Sequence, residues 1–157
     1  MDPNEQLIQT FYKAFQEKDY KTMQHCYGEE ATFTDPVFVN LNATQVRAMW
    51  EMFCVNGKNL SIEFKNIKAD ETTGSAEWIA NYTFTKTGKK VTNHIYSNFT
   101  FKEGKINTHI DKFNFYKWSS QALGLPGLLL GWTGFIKRKI KQGGIKSLNQ
   151  YMAGNKL

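Results

Sequence analysis

Residues 90–116 read KVTNHIYSNFTFKEGKINTHIDKFNFY, and the alternation within them decides the fold class. Successive side chains of a strand point to opposite faces. In the first half, Asn93 and Ile95 share an inward face and His94 lies on the other. A KEGK turn with Gly104 reverses the chain. In the second half Asn107, His109, Asp111, Phe113 and Phe115 share one side, and Thr108, Ile110, Lys112, Asn114 and Tyr116 take the other. An acid and an imidazole leading into two phenylalanines are costly to bury unless paired or used. The stretch therefore reads as the wall of a pocket, the alternative being a structural pair that satisfies neighbouring strands.

Upstream the same period of two continues. LSIEFKNIKA (60–69) and SAEWIANYTFT (75–85) precede the hairpin. The four strands lengthen toward Tyr116, and the short turns DETTG, KTGK and KEGK, with Gly74, Gly88 and Gly104, make them antiparallel. The N-terminal third has helical spacing instead. Asp2, Pro3 and Glu5 form a helix start, with Leu7, Ile8, Phe11, Tyr12 and Phe15 on one stripe. A short second helix is expected over Tyr20–Tyr27. A third begins at Asn42, with Gln45 in the capping-box position, and buries Val46, Met49, Trp50, Phe53 and Cys54. Between them ATFTDPVF runs into an Asp-Pro turn at Asp35. Helices followed by a meander give an α+β domain with helices on one face of a curved sheet.

The 157 residues are 41% hydrophobic and 15% aromatic, which favours one domain with a bulky core or a ring-lined cavity. Cys26 and Cys54 are too few for a disulfide framework and read as buried thiols in a reducing compartment. The start MDPNEQLIQTF lacks the pattern of a signal peptide, and no apolar run approaches the roughly 18 residues of a membrane span. Asn42, Asn59, Asn81 and Asn98 sit in glycosylation-type triplets that are then chance matches. A cytoplasmic location follows as the expectation. His25, His94 and His109 are scattered, so no metal site is readable, and no glycine-rich phosphate loop or other cofactor motif is present. His25 reads as structural and His94 as a sheet-surface residue.

Charge is concentrated at one end. The chain carries a net +6, yet residues 116–157 hold seven basic side chains and no acid, leaving 13 basic against 14 acidic residues in the first 115. After Trp118 the chain reads as irregular around Gly124–Gly134, then as a basic amphipathic helix over 135–152 weakened by Gly143-Gly144. Residues 119–157 thus form an extension to a body at 1–118. Four roles compete for it: a solvated face, a membrane-surface segment, a nucleic-acid contact, or a cover over the pocket or a dimer partner. The strands show no basic and aromatic interleaving, so no nucleic acid is expected. The cover is favoured over the membrane surface because LPGLLLGW is too apolar to stay exposed.

Helix, helix, EEATFTDPVF, helix and a meander ending in GKINTHIDKF together resemble the SnoaL-like polyketide cyclases. These belong to the nuclear transport factor 2-like superfamily that also holds ketosteroid isomerase. The resemblance covers residues 4–116, and its most telling features are YGEEA running into ATFTDP and the Gly-Lys start of the last strand. It implies a cone, in which a strongly curved sheet wraps a pocket closed by the N-terminal helices. The position of the isomerase general base is Asp35, otherwise a plain turn residue that the sequence places near the rim, hydrated and with a low pKa. The isomerase oxyanion donors fall on Phe11 and Ser97. Phe11 cannot donate, so that oxyanion hole is missing. The cyclases place a catalytic Asp on the last strand, which fits Asp111 with His109 beside it.

The catalytic candidates are therefore Asp111, His109 and Asp35. Tyr12, Phe15, Trp50, Phe53, Trp78, Tyr82, Asn93 and Phe113 are the expected substrate-binding residues, though Trp50, Trp78 and Tyr82 are by default core. Two functions fit. One is proton abstraction beside a carbonyl in an apolar pocket, giving a cyclised or isomerised ketone, with His109 or Asn93 steadying the enolate. The other is non-catalytic binding of an apolar or aromatic small molecule. A homodimer through Thr92, His94, Tyr96, Asn98, Thr108 and Ile110 is expected on the outer sheet face.

Overall fold

The computed structural model describes residues 1–157. Eleven elements follow in order: α1 (Pro3–Gln16), α2 (Tyr20–His25), β1 (Tyr27–Thr34), α3 (Ala43–Asn56), β2 (Lys58–Ala69), β3 (Thr73–Phe84), β4 (Lys89–Lys102), β5 (Lys105–Lys112), α4 (Phe115–Leu123), α5 (Leu125–Leu130) and α6 (Gly134–Gly154). The strands make one curved, open sheet in the order β1-β5-β4-β3-β2. The meander from β2 to β5 is antiparallel throughout, as its turns require. Gly88 and Gly104 take the left-handed conformation in two of those turns, with φ of +70° and +71°.

The helix starts are set by local chemistry. The Asp2 side chain accepts from Asn4 N, and Pro3 occupies the first turn where no amide hydrogen is needed. Glu5 plays no part in that cap. At α3 the Asn42–Gln45 capping box is complete. Both helices turn their apolar stripes onto the concave face, where Phe11, Phe15, Trp50, Phe33, Trp78 and Phe99 share one core. On β4, Val91, Asn93, Ile95, Ser97 and Phe99 point inward, and Thr92, His94, Tyr96 and Asn98 point out.

Four sequence expectations are corrected. TFT is not only the approach to a turn: Tyr27–Thr34 is a full strand, and it pairs in parallel with β5 through Phe33↔His109. Tyr27 accordingly belongs to β1 rather than to the second helix. The last strand is not the longest, because it ends at Lys112; the Asn114 side chain accepts from Lys117 N and starts α4, which carries Phe115 away. Within β5 a register shift opposite Thr100 and Phe101 leaves Asn107 unpaired and puts Ile106 inside.

The segment after Trp118 is helical rather than irregular, and α6 runs unbroken through Gly143-Gly144. Leu148 of α6 is fully buried in the main core, and Ile136 joins Val91, Phe115 and Trp118 in a second cluster. LPGLLLGW is not buried as its composition predicts: Leu125, Leu128, Leu129, Leu130 and Trp132 are exposed. The reason is a backbone-first docking. Gly127 lies so close to Ser119 that a Cβ would fall 1.9 Å from the Ser119 carbonyl oxygen, and the flanking side chains turn outward.

Candidate active site

The concave side holds a cavity of about 430 Å³. Of the expected residues, Asp111 and Asp35 border it, together with Phe15, Trp50, Phe53 and Trp78. Tyr82, Asn93 and Phe113 border it as well. His109 and Tyr12 do not: both are fully buried in the layer behind the wall. The concave face of β5 leads from the cavity into the narrow end of the cone, so Asp111 meets the open space. His109, two residues earlier, meets Phe11, Phe33 and Phe99 edge-on or tilted, at ring distances of 4.4–5.8 Å.

Behind the wall lies a hydrogen-bonded chain whose directions follow from counting hydrogens. Trp50 Nε1 donates to the Tyr27 hydroxyl at 2.8 Å, and that hydroxyl lies 2.7 Å from His109 Nδ1. Asp111 Oδ1 takes the Ser97 hydrogen and can only accept, so an imidazole with one ring hydrogen carries it on Nε2 and leaves Nδ1 to accept from the Tyr27 hydroxyl. Nε2 of His109 donates to Asp111 Oδ1 at 2.8 Å. From the other side Ser97 Oγ accepts from Trp78 Nε1 at 3.0 Å and from the Tyr12 hydroxyl at 2.7 Å, and donates to the same Asp111 Oδ1. Burial raises the phenol pKa of both Tyr12 and Tyr27 well above its ordinary value, and the charge of Asp111 adds to it. Both hydroxyls stay protonated, as the chain requires.

Asp111 Oδ1 is thus pinned by two donors. Its Oδ2 has no protein partner, yet no side-chain nitrogen or oxygen sealed from solvent lacks one. Oδ2 is therefore the atom that meets the cavity.

Asp35 is not the hydrated rim residue that its place before Pro36 predicts. Its Oδ1 accepts from Val37 N at 2.7 Å and Phe38 N at 2.6 Å, which is the turn role. The carboxyl nevertheless borders the cavity, and burial pushes its pKa up to about 7 despite those two amides and Lys141; the charge of Asp111 adds to the rise. Two carboxyls on one cavity wall, one of them half-buried with its pKa raised to about 7, match the usual division into acid and base.

Two further polar groups face the same space with capacity to spare. Tyr82 accepts from Trp118 Nε1 at 2.6 Å and has its own hydrogen uncommitted. The Asn93 side chain makes no hydrogen bond with the protein. The other residues that border the cavity supply a predominantly apolar wall, including Leu60, Ile95 and Ile140. Sequence reading missed Tyr27, Ser97 as the hub between Tyr12, Trp78 and Asp111, and Trp118; it expected the C-terminal helix as a cover, and α6 borders the cavity through Lys139, Ile140, Gly144 and Ser147. The inward parity of Ser97 was the available signal for one of them. The others depend on pairings and helix docking that carry no local pattern.

The sequence model of the SnoaL-like domain matches residues 8–109, two thirds of the chain. The chain belongs to the SnoaL-like domain family. Solved structures agree on the fold. One similar to it is an LEH-like epoxide hydrolase of M. tuberculosis, at 17% identity and a TM-score of 0.64, covering 81% of this chain and 95% of that one. IdmH of Streptomyces antibioticus, a candidate polyketide cyclase, is similar at 15% identity and 0.64, covering 80% and 100%. A protein of Catenulispora acidiphila with a ketosteroid isomerase-like fold, in complex with trimethylamine, matches at 11% identity and 0.66, covering 81% and 96%. None of the curated proteins compared with the chain matches it by sequence. These similar structures include a hydrolase and a candidate cyclase, so the likeness shows the fold alone and the reaction must be argued from the site.

Proposed function

We propose that this SnoaL-like protein binds an apolar carbonyl compound and removes a proton from the carbon next to its carbonyl, leading to a cyclised or isomerised ketone. The observation that carries the reading is Asp111, with Oδ1 held by His109 and Ser97 and Oδ2 open to an apolar cavity. The proton passes from carbon to Oδ2, and the C–H electron pair moves onto the carbonyl oxygen as an enolate. Asp35, the Tyr82 hydroxyl and the Asn93 amide are the donors available to that oxygen. His109 acts through Asp111, since it has no access to the cavity. Where a C=C adjoins that carbon, return of the proton from Oδ2 to the far end of the dienolate isomerises the ketone; where the enolate carbon attacks a second carbonyl the ring closes, and the new alkoxide takes up the proton.

Phe11 favours a second reading. At the first-helix position where the isomerases carry a donor, this chain has a buried ring packed against His109, which suits a carrier of the same ligand without turnover. Mass spectrometry of the co-purified cavity ligand, followed by incubation in D2O, separates the two. The enzyme incorporates deuterium next to the carbonyl and Asp111→Asn does not. A ligand that stays bound and unlabelled identifies the carrier and overturns the enzyme.

A further inference from the structure

A run of exposed apolar side chains lies where the chain passes from α4 to α6. Between residues 125 and 135, Leu125, Leu128, Leu129, Leu130, Trp132 and Phe135 are each 47–70% exposed, six of the thirteen large hydrophobic residues left exposed anywhere in the chain. The backbone beneath them is held firmly. Gly127 packs on Ser119, the Tyr116 hydroxyl donates to the Leu128 carbonyl at 2.7 Å, and Thr133 Oγ1 donates to the Leu130 carbonyl at 2.6 Å. Trp132 Nε1 donates to the Leu129 carbonyl at 3.1 Å. The side chains are displayed outward by a fixed scaffold whose polar groups are already partnered.

The next turns of α6 carry Lys137, Arg138 and Lys141, none of which joins an ion pair, and Lys139, which borders the cavity and lies 5.6 Å over the Phe135 ring. No acidic residue occurs from 116 to 157. We infer that this surface docks the protein on an anionic lipid bilayer, with the leucines, Trp132 and Phe135 entering the headgroup boundary and the basic side chains meeting lipid phosphates. Tryptophan beside leucine is the composition of an interfacial contact. At six residues, α5 is far too short to cross, and no helix of the chain is long and apolar enough to do so. A second copy of this chain fits less well. A twofold contact through the patch would set one unpaired basic cluster against its twin. A protein groove needs side-chain complementarity, whereas a bilayer accepts any outward apolar cluster of this kind.

Flotation of the full chain with vesicles tests the inference. Binding is expected to vesicles of phosphatidylcholine mixed with phosphatidylglycerol and not to phosphatidylcholine alone, and to weaken with salt. Trp132 reports insertion directly, because Trp50, Trp78 and Trp118 are at most 7% exposed. Its emission should shift to the blue and be quenched by brominated lipid. Leu129→Ser with Trp132→Ser should lower partitioning about tenfold or more. Lys137→Gln and Arg138→Gln should each lower it about fivefold. All four side chains are exposed, and circular dichroism checks that the variants fold. Failure to bind either vesicle, equal binding to both, or unchanged binding by the variants overturns the proposal. So does a wild-type dimer that Leu129→Ser dissociates, which would make a second copy the occupant.

Discussion

Tyr27 and His109 stand 82 residues apart in sequence and are joined by a 2.7 Å hydrogen bond in which the hydroxyl donates to Nδ1. That one bond fixes the imidazole tautomer and aims Nε2 at Asp111. Tyr27→Phe leaves Trp50 Nε1 and His109 Nδ1 buried without partners. The expected cost is about 1–3 kcal/mol, a fall in Tm of about 2–12 °C. A turnover assay should show kcat falling with KM nearly unchanged, because the ring does not touch the cavity. An unaltered Tm would show that the bond is not made.

Asp111→Asn keeps the shape and the Oδ1 acceptor but removes the base. Turnover should fall about 10²–10⁴-fold. Asp35→Asn retains a donor toward the cavity and should cost much less. Steady-state rates on both variants decide it, and equal losses would indicate that the two carboxyls share the proton.

Asp35 also makes stability depend on pH. Its pKa of about 7 in the folded chain lies above the 3.8 of an exposed carboxyl, so between those values the folded state holds the extra proton. Its contribution is full below about pH 4 and is lost as pH rises through 7. Asp35→Asn should flatten that slope and be more stable than the wild type at pH 8. Thermal melts of the two proteins across pH 4–8 give the comparison.

Adjacent glycines of α6 should respond in opposite ways. A Cβ at Gly143 meets only the flexible end of Lys86, at 3.1 Å, whereas one at Gly144 falls 2.7 Å from Val37 Cγ1. Gly143→Ala should gain up to about 1 kcal/mol of helix propensity. Gly144→Ala should lose stability, because the helix must move off the Val37 and Phe38 side of the cavity. Denaturant titration of each variant measures both signs.

The outer face of β4 and β5 presents Tyr96 and Ile110, with His94 stacked on Tyr96 at 4.8 Å and bonded to Glu77 at 3.1 Å. This mixed surface suits a homodimer. Sedimentation at micromolar concentration should show two copies, and Tyr96→Lys should give one. A wild-type monomer would remove the expectation.

What the sequence could reveal was set by how local each signal was. The meander and the inward pair His109 and Asp111 follow from a period of two, which every residue of a strand repeats. The parity failed at Asn107, where one extra residue in β5 shifts the register, and at Phe115, where the Asn114 cap converts strand into helix. Asp35 misled for a different reason. An Asp-Pro turn is a local feature, but the burial that raises its pKa comes from distant elements packing around it. The outward leucines of α5 were likewise invisible, since hydropathy says nothing about which side of a docked backbone faces the core.

The parallel seam between β1 and β5 sets an order of assembly. The other three strand pairs close through turns of a few residues, but β1 must find β5 across the whole meander. Closing so long a loop costs entropy before its contacts repay it. The hairpins are expected to form first, with β1 docking last and carrying Tyr27 to His109. A refolding chain followed by pulsed hydrogen exchange should therefore protect the amides of β3 and β4 before it is able to hold a ligand.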